Sequence, residues 1–513
     1  MKLFNTKWRE IEEFKPLKQD KVKVYYCWPT VYNYAHIGNL RTFVFEDLVV
    51  KTLRFLGYKV ETLMNITDVD DKTIRDSIAS GEKLENFTKK YTKIFLEDIE
   101  KLNIKKADKI VPVTTLIPEM LRMINTMLSR WYAYFASDGS IYYKVSKFKK
   151  YWKFANLDLE NLKIWARIDN DEYEKDNFWD FVLWKSWKKE DWENFWEEEF
   201  VIYWEDIKKL DEVDNSLVEI IEKNDKQAKI KIKWRPGWHI ECSACNIKYH
   251  WPQIDIHMWW VDLIFPHHQN EIAQTESCTR KEFSKYWLHS GHLMVDWKKM
   301  SKSLKNFYTL EDLEKKFSDK LEKKVLYRAI RFWFINWKYR DSIEFNFEKL
   351  KSNIKTIENI DNTIKSIKRY LENKKNNQKK PISKDFREYL NFIVRDYIEA
   401  LEDDFNFVSS LKIFFEFIKF INLWIKQEDF SKEEILAIID VLKTFNEVLD
   451  IINFDFLEEK KDEISKEILD IFEKRNEFKK QKNWQEADKL RDELLELWYK
   501  IIDSREGSSL EKI

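Results

Sequence analysis

The run Cys27-Trp-Pro-Thr-Val-Tyr-Asn-Tyr-Ala-His-Ile-Gly-Asn-Leu-Arg-Thr42 decides how the chain begins to fold. Before it stands a strand pattern (Val22, Val24, Tyr26). After it comes a helix pattern: Phe43, Leu48, Val49, Leu53 and Leu56. Gly57 stands where a helix C-cap belongs, and Val60, Thr62 and Met64 open a second strand. The unit is strand, loop, helix, strand. Its loop opens onto a helix N-terminus, where free backbone N–H groups favour an anion. Cys27 adds a candidate metal ligand and His36 a phosphate-reaching imidazole. Far downstream, Lys299-Met-Ser-Lys-Ser303 sets two lysines in a polar loop.

At 513 residues the chain is too long for one core, and three or more domains of ~100–200 residues are expected. Its 90 basic and 91 acidic side chains nearly cancel, so any surface for a nucleic acid must be local. Four scattered cysteines suggest no disulfide framework and point to a reducing, cytoplasmic setting. The N-terminus lacks the apolar core of a signal peptide. The greasiest stretch, Phe414–Ile425, is interrupted by Glu416 and Lys419 and falls short of the ~18 apolar residues of a membrane helix.

Taken in order, residues 1–112 read as half of a nucleotide-binding α/β fold, with Thr67 at a strand end facing the same crevice as Cys27. Residues 113–233 read as an insertion, and its charged stretch 188–230 as a solvated excursion. Residues 234–292 return to the sheet: a helix opens near Trp238, Ile254–His257 is a short strand, and Trp259-Trp260 lies in a loop. Another helix opens at Pro266-His-His-Gln-Asn-Glu271. Beyond 311 the pattern is helical, over 346–371, 386–402, 407–427 and 432–453. A basic run at 374–380 reads as a linker, and a smaller module begins near 460.

Together, His36-Ile-Gly-Asn39 and Lys299-Met-Ser-Lys-Ser303 resemble the two nucleotide signatures of the class I aminoacyl-tRNA synthetases, and their flanks resemble the cysteine-specific branch. That resemblance implies a Rossmann-type (HUP-like) parallel-sheet catalytic domain with a connective insertion, then an all-α helical bundle and a small C-terminal module. The implied boundaries are 1–112 and 234–292 for the catalytic halves and 113–233 for the insertion. The motif loop and stem-contact region takes 293–345, the anticodon-binding bundle 346–459 and the last module 460–513. The implied reaction is cysteine–tRNA ligation: ATP and L-cysteine give cysteinyl-adenylate, and the acyl group passes to tRNA(Cys). A monomer with one zinc ion is implied, with magnesium accompanying ATP.

The resemblance assigns roles residue by residue. Zinc falls to Cys27, Cys242, His267 and Glu271; the last two, four residues apart, share a helix face. Cysteine, histidine and glutamate make a plausible zinc set. His268 is the near miss, turned roughly 100° from His267 on a helix. The pair Cys242 and Cys245 also reads as a C-x-x-C, but no second pair exists. Thr67, Trp238 and His257 fall at the amino-acid pocket. His36, Asn39, Lys299 and Lys302 face the phosphates, Gly38 lets the backbone approach ATP, Asp262 meets the ribose, and Ser301 and Ser303 are secondary donors. Asn39 departs from the histidine of the usual motif.

Two competing readings are a cysteine:glucosaminyl-inositol ligase, which should lack the ~170 residues after 345, and an inactive tRNA- or zinc-binding relic. The relic draws on an odd composition: 7 glycines and 23 tryptophans, where roughly 7% glycine is ordinary. The resemblance implies glycine at Trp28, Trp152, Trp165, Trp234, Trp251, Trp259, Trp260, Trp297, Trp337 and Trp498. Some bacterial lineages read UGA as glycine, while a common alternative table reads it as tryptophan. These indoles are therefore expected to be mistranslated glycines, whereas Trp184, Trp238 and Trp287 fit as true tryptophans.

Overall fold

A five-stranded parallel sheet carries the molecule's chemistry. In the computed structural model its strands are β1 (Lys21–Tyr26), β2 (Lys59–Ile66), β3 (Lys109–Pro112), β4 (Ile254–Trp260) and β5 (Ser284–Ser290), in the spatial order β5-β4-β1-β2-β3. The described residues are 1–27, 30–156, 179–300, 306–317, 321–373, 381–427, 430–458, 466–497, 499–504 and 507–512. Such a sheet is buried on both faces: β4 is buried from Ile254 to Trp259, and β1 from Val24 to Tyr26. The strand order turns at β1 and β4. There the carboxyl ends of adjacent strands diverge, and side chains can converge on a ligand.

Helix α1 (Ile37–Phe55) follows β1. Its N-terminus is closed by a capping box: His36 Nδ1 accepts from the Asn39 amide at 3.1 Å, and Asn39 Oδ1 accepts from the His36 amide at 3.2 Å. Helix α2 (Trp238–His250) precedes β4, and α3 (His267–Thr279) joins β4 to β5. Gly237 admits α2 close to its neighbour: a Cβ there would lie 2.6 Å from the Val182 carbonyl.

The insertion between β3 and β4 holds a six-stranded sheet, and the stretch expected to be a solvated excursion is part of it. Trp196–Tyr203 and Val218–Lys223 both pair with Gln227–Pro236. The reason is a period of two. Ala228, Ile230, Ile232 and Trp234 point inward and are buried, while Lys229 and Lys231 point outward to Glu199 and Glu197. Those exposed ion pairs contribute little; the apolar face fixes the register. Likewise, Trp259 and Trp260 end strand β4 rather than occupying a loop.

After β5 the chain forms a helical bundle, Phe347–Glu372, Lys384–Glu402, Phe407–Gln427 and Lys432–Leu449. Two buried arginines of the helix Lys323–Ile335 tie it in. Arg331 pairs with Asp47 of α1 at 2.6 Å and donates to the Leu449 carbonyl, while Arg328 pairs with Asp361. Removing one partner of such a buried pair costs roughly 3–5 kcal/mol, because the other charge is stranded. Residues 1–452 form one compact unit and 453–513 a second. Among its described residues the second has a short helix, Asp455–Glu458, two longer ones, Lys466–Lys480 and Trp484–Glu496, and a hairpin, with Leu494, Tyr499 and Ile501 at its core. Among the described residues no helix is long and apolar enough to cross a membrane.

Candidate functional site

Cys27, at the end of β1, and Cys242, in the second turn of α2, bring their sulfurs to 3.6 Å. Helix α3 delivers His267 and Glu271 from one face. His267 Nε2 lies 3.5 Å from Cys242 Sγ and 3.9 Å from Cys27 Sγ, and Glu271 Oε1 lies 3.8 Å from Cys27 Sγ. All four side chains are buried. A tetrahedral zinc ion with bonds of ~2.0–2.3 Å needs its ligand atoms about 3.3–3.8 Å apart, so the set fits. Only His267 Nε2 and Glu271 Oε1 sit closer, at a hydrogen-bonded 2.8 Å.

The electrostatics describe a group of acids and bases facing inward. Burial lowers the His267 pKa, but the Glu271 carboxylate and Cys242 outweigh it and raise it to about 10. Burial raises the Glu271 pKa, yet His257 and His267 bring it down to about 2. Burial likewise raises Cys242, and its bonds to Cys27 and His267 lower it to about 6. Cys27, buried against Cys242, is pushed well above the usual thiol range. Charges this deep persist only when paired, and the pairing is here.

His268 is nearer than its helical angle suggested. Its Nε2 reaches 3.9 Å from Cys27 Sγ, and Cys27, His257, His268 and Glu271 form a second group able to hold a metal. The angle had placed only the Cα–Cβ bond; the imidazole swings back under β1. His257 Nε2 donates to Glu271 Oε2 over 2.8 Å, and the ring stacks on Trp287 with centroids 4.6 Å apart. Trp238 covers His267 at 4.3 Å and is partly exposed. Thr67 sits on the far wall, its hydroxyl donating to Glu241 Oε2 at 2.9 Å.

The nucleotide motifs meet across the sheet's edge. The α1 N-terminus donates from the Ile37 amide to the Tyr308 carbonyl at 2.9 Å, and His36 bridges to Thr309. Met300 packs on Gly38 so closely that a Cβ there would lie 2.6 Å from its terminal methyl. Burial holds the His36 pKa down to about 4. Because Nδ1 accepts from Asn39, the single ring proton is on Nε2, the nitrogen free to donate to a phosphate. Asn39 turns its amide oxygen inward as a cap. Lys299 reaches both oxygens of Asp262, at 2.8 and 2.9 Å. Ser301, Lys302 and Ser303 lie outside the described residues, as do Trp28, Trp165 and Trp498.

Residues 13–200 and 205–355 match the family model of the class I tRNA synthetase (C) catalytic domain, and 396–453 match the DALR domain. The chain is 37% identical over 519 residues to the cysteine–tRNA ligase of Protochlamydia amoebophila, covering 100% of this chain and 98% of that one. The chain belongs to the cysteine–tRNA ligase family. To the ligase of Chlamydia trachomatis serovar A it is 38% identical (100% and 99% covered), and to that of Brachyspira hyodysenteriae 37% (98% of each). Two solved synthetases share the fold alone. Methionyl-tRNA synthetase of Mycobacterium tuberculosis has a TM-score of 0.53 at 13% identity, covering 85% of this chain and 90% of its own. The Agrobacterium radiobacter leucyl enzyme, solved with tRNA, has a TM-score of 0.57 at 10% identity, covering 88% and 87%.

Several tryptophans stand out by their backbone. Trp131, Trp192, Trp204 and Trp297 all have φ between 51° and 66°, a left-handed backbone that suits glycine. Only Trp297 was expected from sequence; the other three are exposed and carry no motif. Trp184, Trp234, Trp260, Trp333 and Trp337 each bury an indole N–H without a partner, so that feature does not separate the expected glycines from the expected tryptophans. Trp260 also stacks on His36, with ring centroids 5.9 Å apart. Two functional neighbours escaped the sequence reading. Glu241 precedes Cys242 and faces Thr67, and His292 faces Asp262 over 3.2 Å. Only its neighbours' motifs could have drawn attention to either.

Proposed function

We propose that this ligase activates L-cysteine with ATP, giving cysteinyl-adenylate and pyrophosphate, and passes the cysteinyl group to the 3′-terminal hydroxyl of tRNA(Cys). The observation that carries this reading is the buried Cys27, Cys242, His267 and Glu271 cluster at the strand ends beside the His36 helix. Zinc fits those donors and, when bound, would take the substrate thiolate as a further ligand, a bond that serine's hydroxyl forms poorly. Trp238, Thr67 and His257 bound the pocket for the amino acid. His36 donates to a phosphate, Gly38 keeps that approach open, and Asp262 accepts from ribose hydroxyls. Lys299 and Lys302, with Ser301 and Ser303, stabilise charge on the departing pyrophosphate. Asn39 supports His36 through the cap.

The helical bundle and the last module are assigned to the anticodon side of the tRNA, and 113–233 to the connective insertion. A cytoplasmic monomer using magnesium with ATP completes the reading. We assign glycine to the native protein at Trp259, Trp260, Trp297 and the other positions named, and extend it to Trp131, Trp192 and Trp204. The left-handed backbone of Trp131, Trp192, Trp204 and Trp297 supports this. The inactive relic is favoured by one observation, the indole of Trp260 lying over His36. ATP–pyrophosphate exchange with cysteine and with serine, on the literal sequence and on the glycine-restored chain, separates the two. Cysteine-dependent exchange only in the restored chain supports the ligase; none in either supports the relic. Mass spectrometry of native peptides reads the residues directly.

A further inference from the structure

Asp262 has two partners of unlike character. Lys299 spans both of its oxygens, but its side chain is 60% exposed, and ion pairs that exposed are weak and easily exchanged. His292 reaches one oxygen over 3.2 Å and is only 19% exposed. Since a carboxylate only accepts, the imidazole donates. Together the two partners hold the Asp262 carboxyl below its usual range, against the burial that raises it.

The backbone beneath His292 is fixed from three sides. Buried Arg41, in the first turns of α1, donates to the Gly291 and His292 carbonyls at 2.7 Å each. The Ile343 amide donates to the His292 carbonyl at 2.8 Å. Gly291 lies against the Asp341 carbonyl, which leaves no room for a Cβ. The imidazole is thus presented to Asp262 from a rigid turn, whereas Lys299 arrives on a short hairpin with a long flexible stem.

We propose that His292 is a positioning residue that holds Asp262 for the ribose of ATP, and that Asp262 is also the resting partner of Lys299. Nucleotide entry then exchanges Lys299 for ribose hydroxyls, freeing its charge for the phosphates, while His292 stays in place. No bond is made or broken in this exchange; a hydrogen-bond acceptor changes partner. The proposal rests on the ribose role of Asp262 given above.

The test uses the full, zinc-loaded, glycine-restored chain, which is the wild type for every comparison, in cysteine-dependent ATP–pyrophosphate exchange, with ATP and with 2′,3′-dideoxy-ATP. His292→Ala should raise the KM for ATP about tenfold with kcat within about twofold. The same variant should lose most of the preference for ATP over the dideoxy analogue. His292→Gln, which can still donate, should keep both within about threefold of wild type. If His292→Ala does not fold, His292→Asn, too short to reach, takes its place. An unchanged KM, or an equal rise for both nucleotides, overturns the positioning role. Asp262→Ala separates the layers. If it leaves the ribose preference intact, the ribose role itself falls. If it abolishes the preference while His292→Ala does not, only the His292 assignment falls. Adenosine, which has no phosphate to reward Lys299, should bind Lys299→Met several-fold tighter than wild type; equal or weaker binding overturns the exchange.

Discussion

The metal cluster and the nucleotide cluster lie on the same sheet and are built in opposite ways. Cys27, Cys242, His267 and Glu271 are buried, sit on regular elements, and point their donor atoms at one another. The nucleotide groups are engaged with stand-ins: Lys299 with Asp262, the α1 N-terminus with Tyr308, and Gly38 with Met300. In the proposed function the first site tells sulfur from oxygen and needs fixed geometry, because its discrimination is a difference in one bond. The second, proposed to grip a triphosphate and release pyrophosphate, needs partners that leave. The contrast predicts unlike responses to mutation.

The largest effect is expected at the rigid site. Cys242→Ser should lose the bound metal and at least about a hundredfold of cysteine activation together, since three remaining ligands leave an incomplete zinc set. Elemental analysis beside the exchange assay checks it. Stoichiometric metal in the variant would remove Cys242 from the ligand set. On the nucleotide side, Lys302→Ala should behave otherwise: adenylate formation slows by roughly 10²–10³ while the ATP KM moves little. Single-turnover kinetics give both numbers, and a change confined to KM would deny the lysine its transition-state role.

A third prediction concerns protons. In the metal-free protein the Glu271 carboxylate and Cys242, outweighing burial, raise the His267 pKa to about 10, so the imidazole is protonated throughout neutral pH. The buried Cys27 thiol is raised as well. A metal must displace those protons, which therefore favour the empty site. Affinity should rise with pH between 6 and 8, about tenfold per unit for each proton released. Competition against a chromophoric chelator at several pH values measures the slope. His267→Gln should reduce it by one proton, and a flat wild-type profile would count against His267 as a ligand.

Much of this was legible in the chain, for reasons that differ by region. The bundle helices announced themselves by apolar spacing: the pattern over 407–427 became Phe407–Gln427. The convergence of Cys27, Cys242, His267 and Glu271 followed from motifs whose context is specific. The insertion was misread because its lysines and glutamates dominate composition, yet the alternation Ala228, Ile230, Ile232, Trp234 was present and is a strand's period. His268 comes nearer than a helical wheel suggests because the wheel locates Cβ, while a long ring reaches back several ångströms. Glu241 and His292 carry no pattern at all; they matter through neighbours 174 and 30 residues distant in the chain.

The smallest effect sits where the two clusters' contrast is most local. Leu293–Val295 and Lys298–Lys299 form a hairpin joined by Asp296 and Trp297, both with positive φ, 51° and 56°. A two-residue turn positive at both positions is type I′, for which Asp-Gly is a preferred sequence. Trp297 meets the geometry with 72% of its surface exposed, so its indole gains little burial in return for the backbone it strains. Trp297→Gly should therefore stabilise the chain by about 1 kcal/mol, although glycine normally weakens a fold through its entropy. Urea unfolding of the first unit reads the sign. Because this turn sets the register that brings Lys299 to Asp262, a destabilised variant would mean that tryptophan is the residue the hairpin was built around.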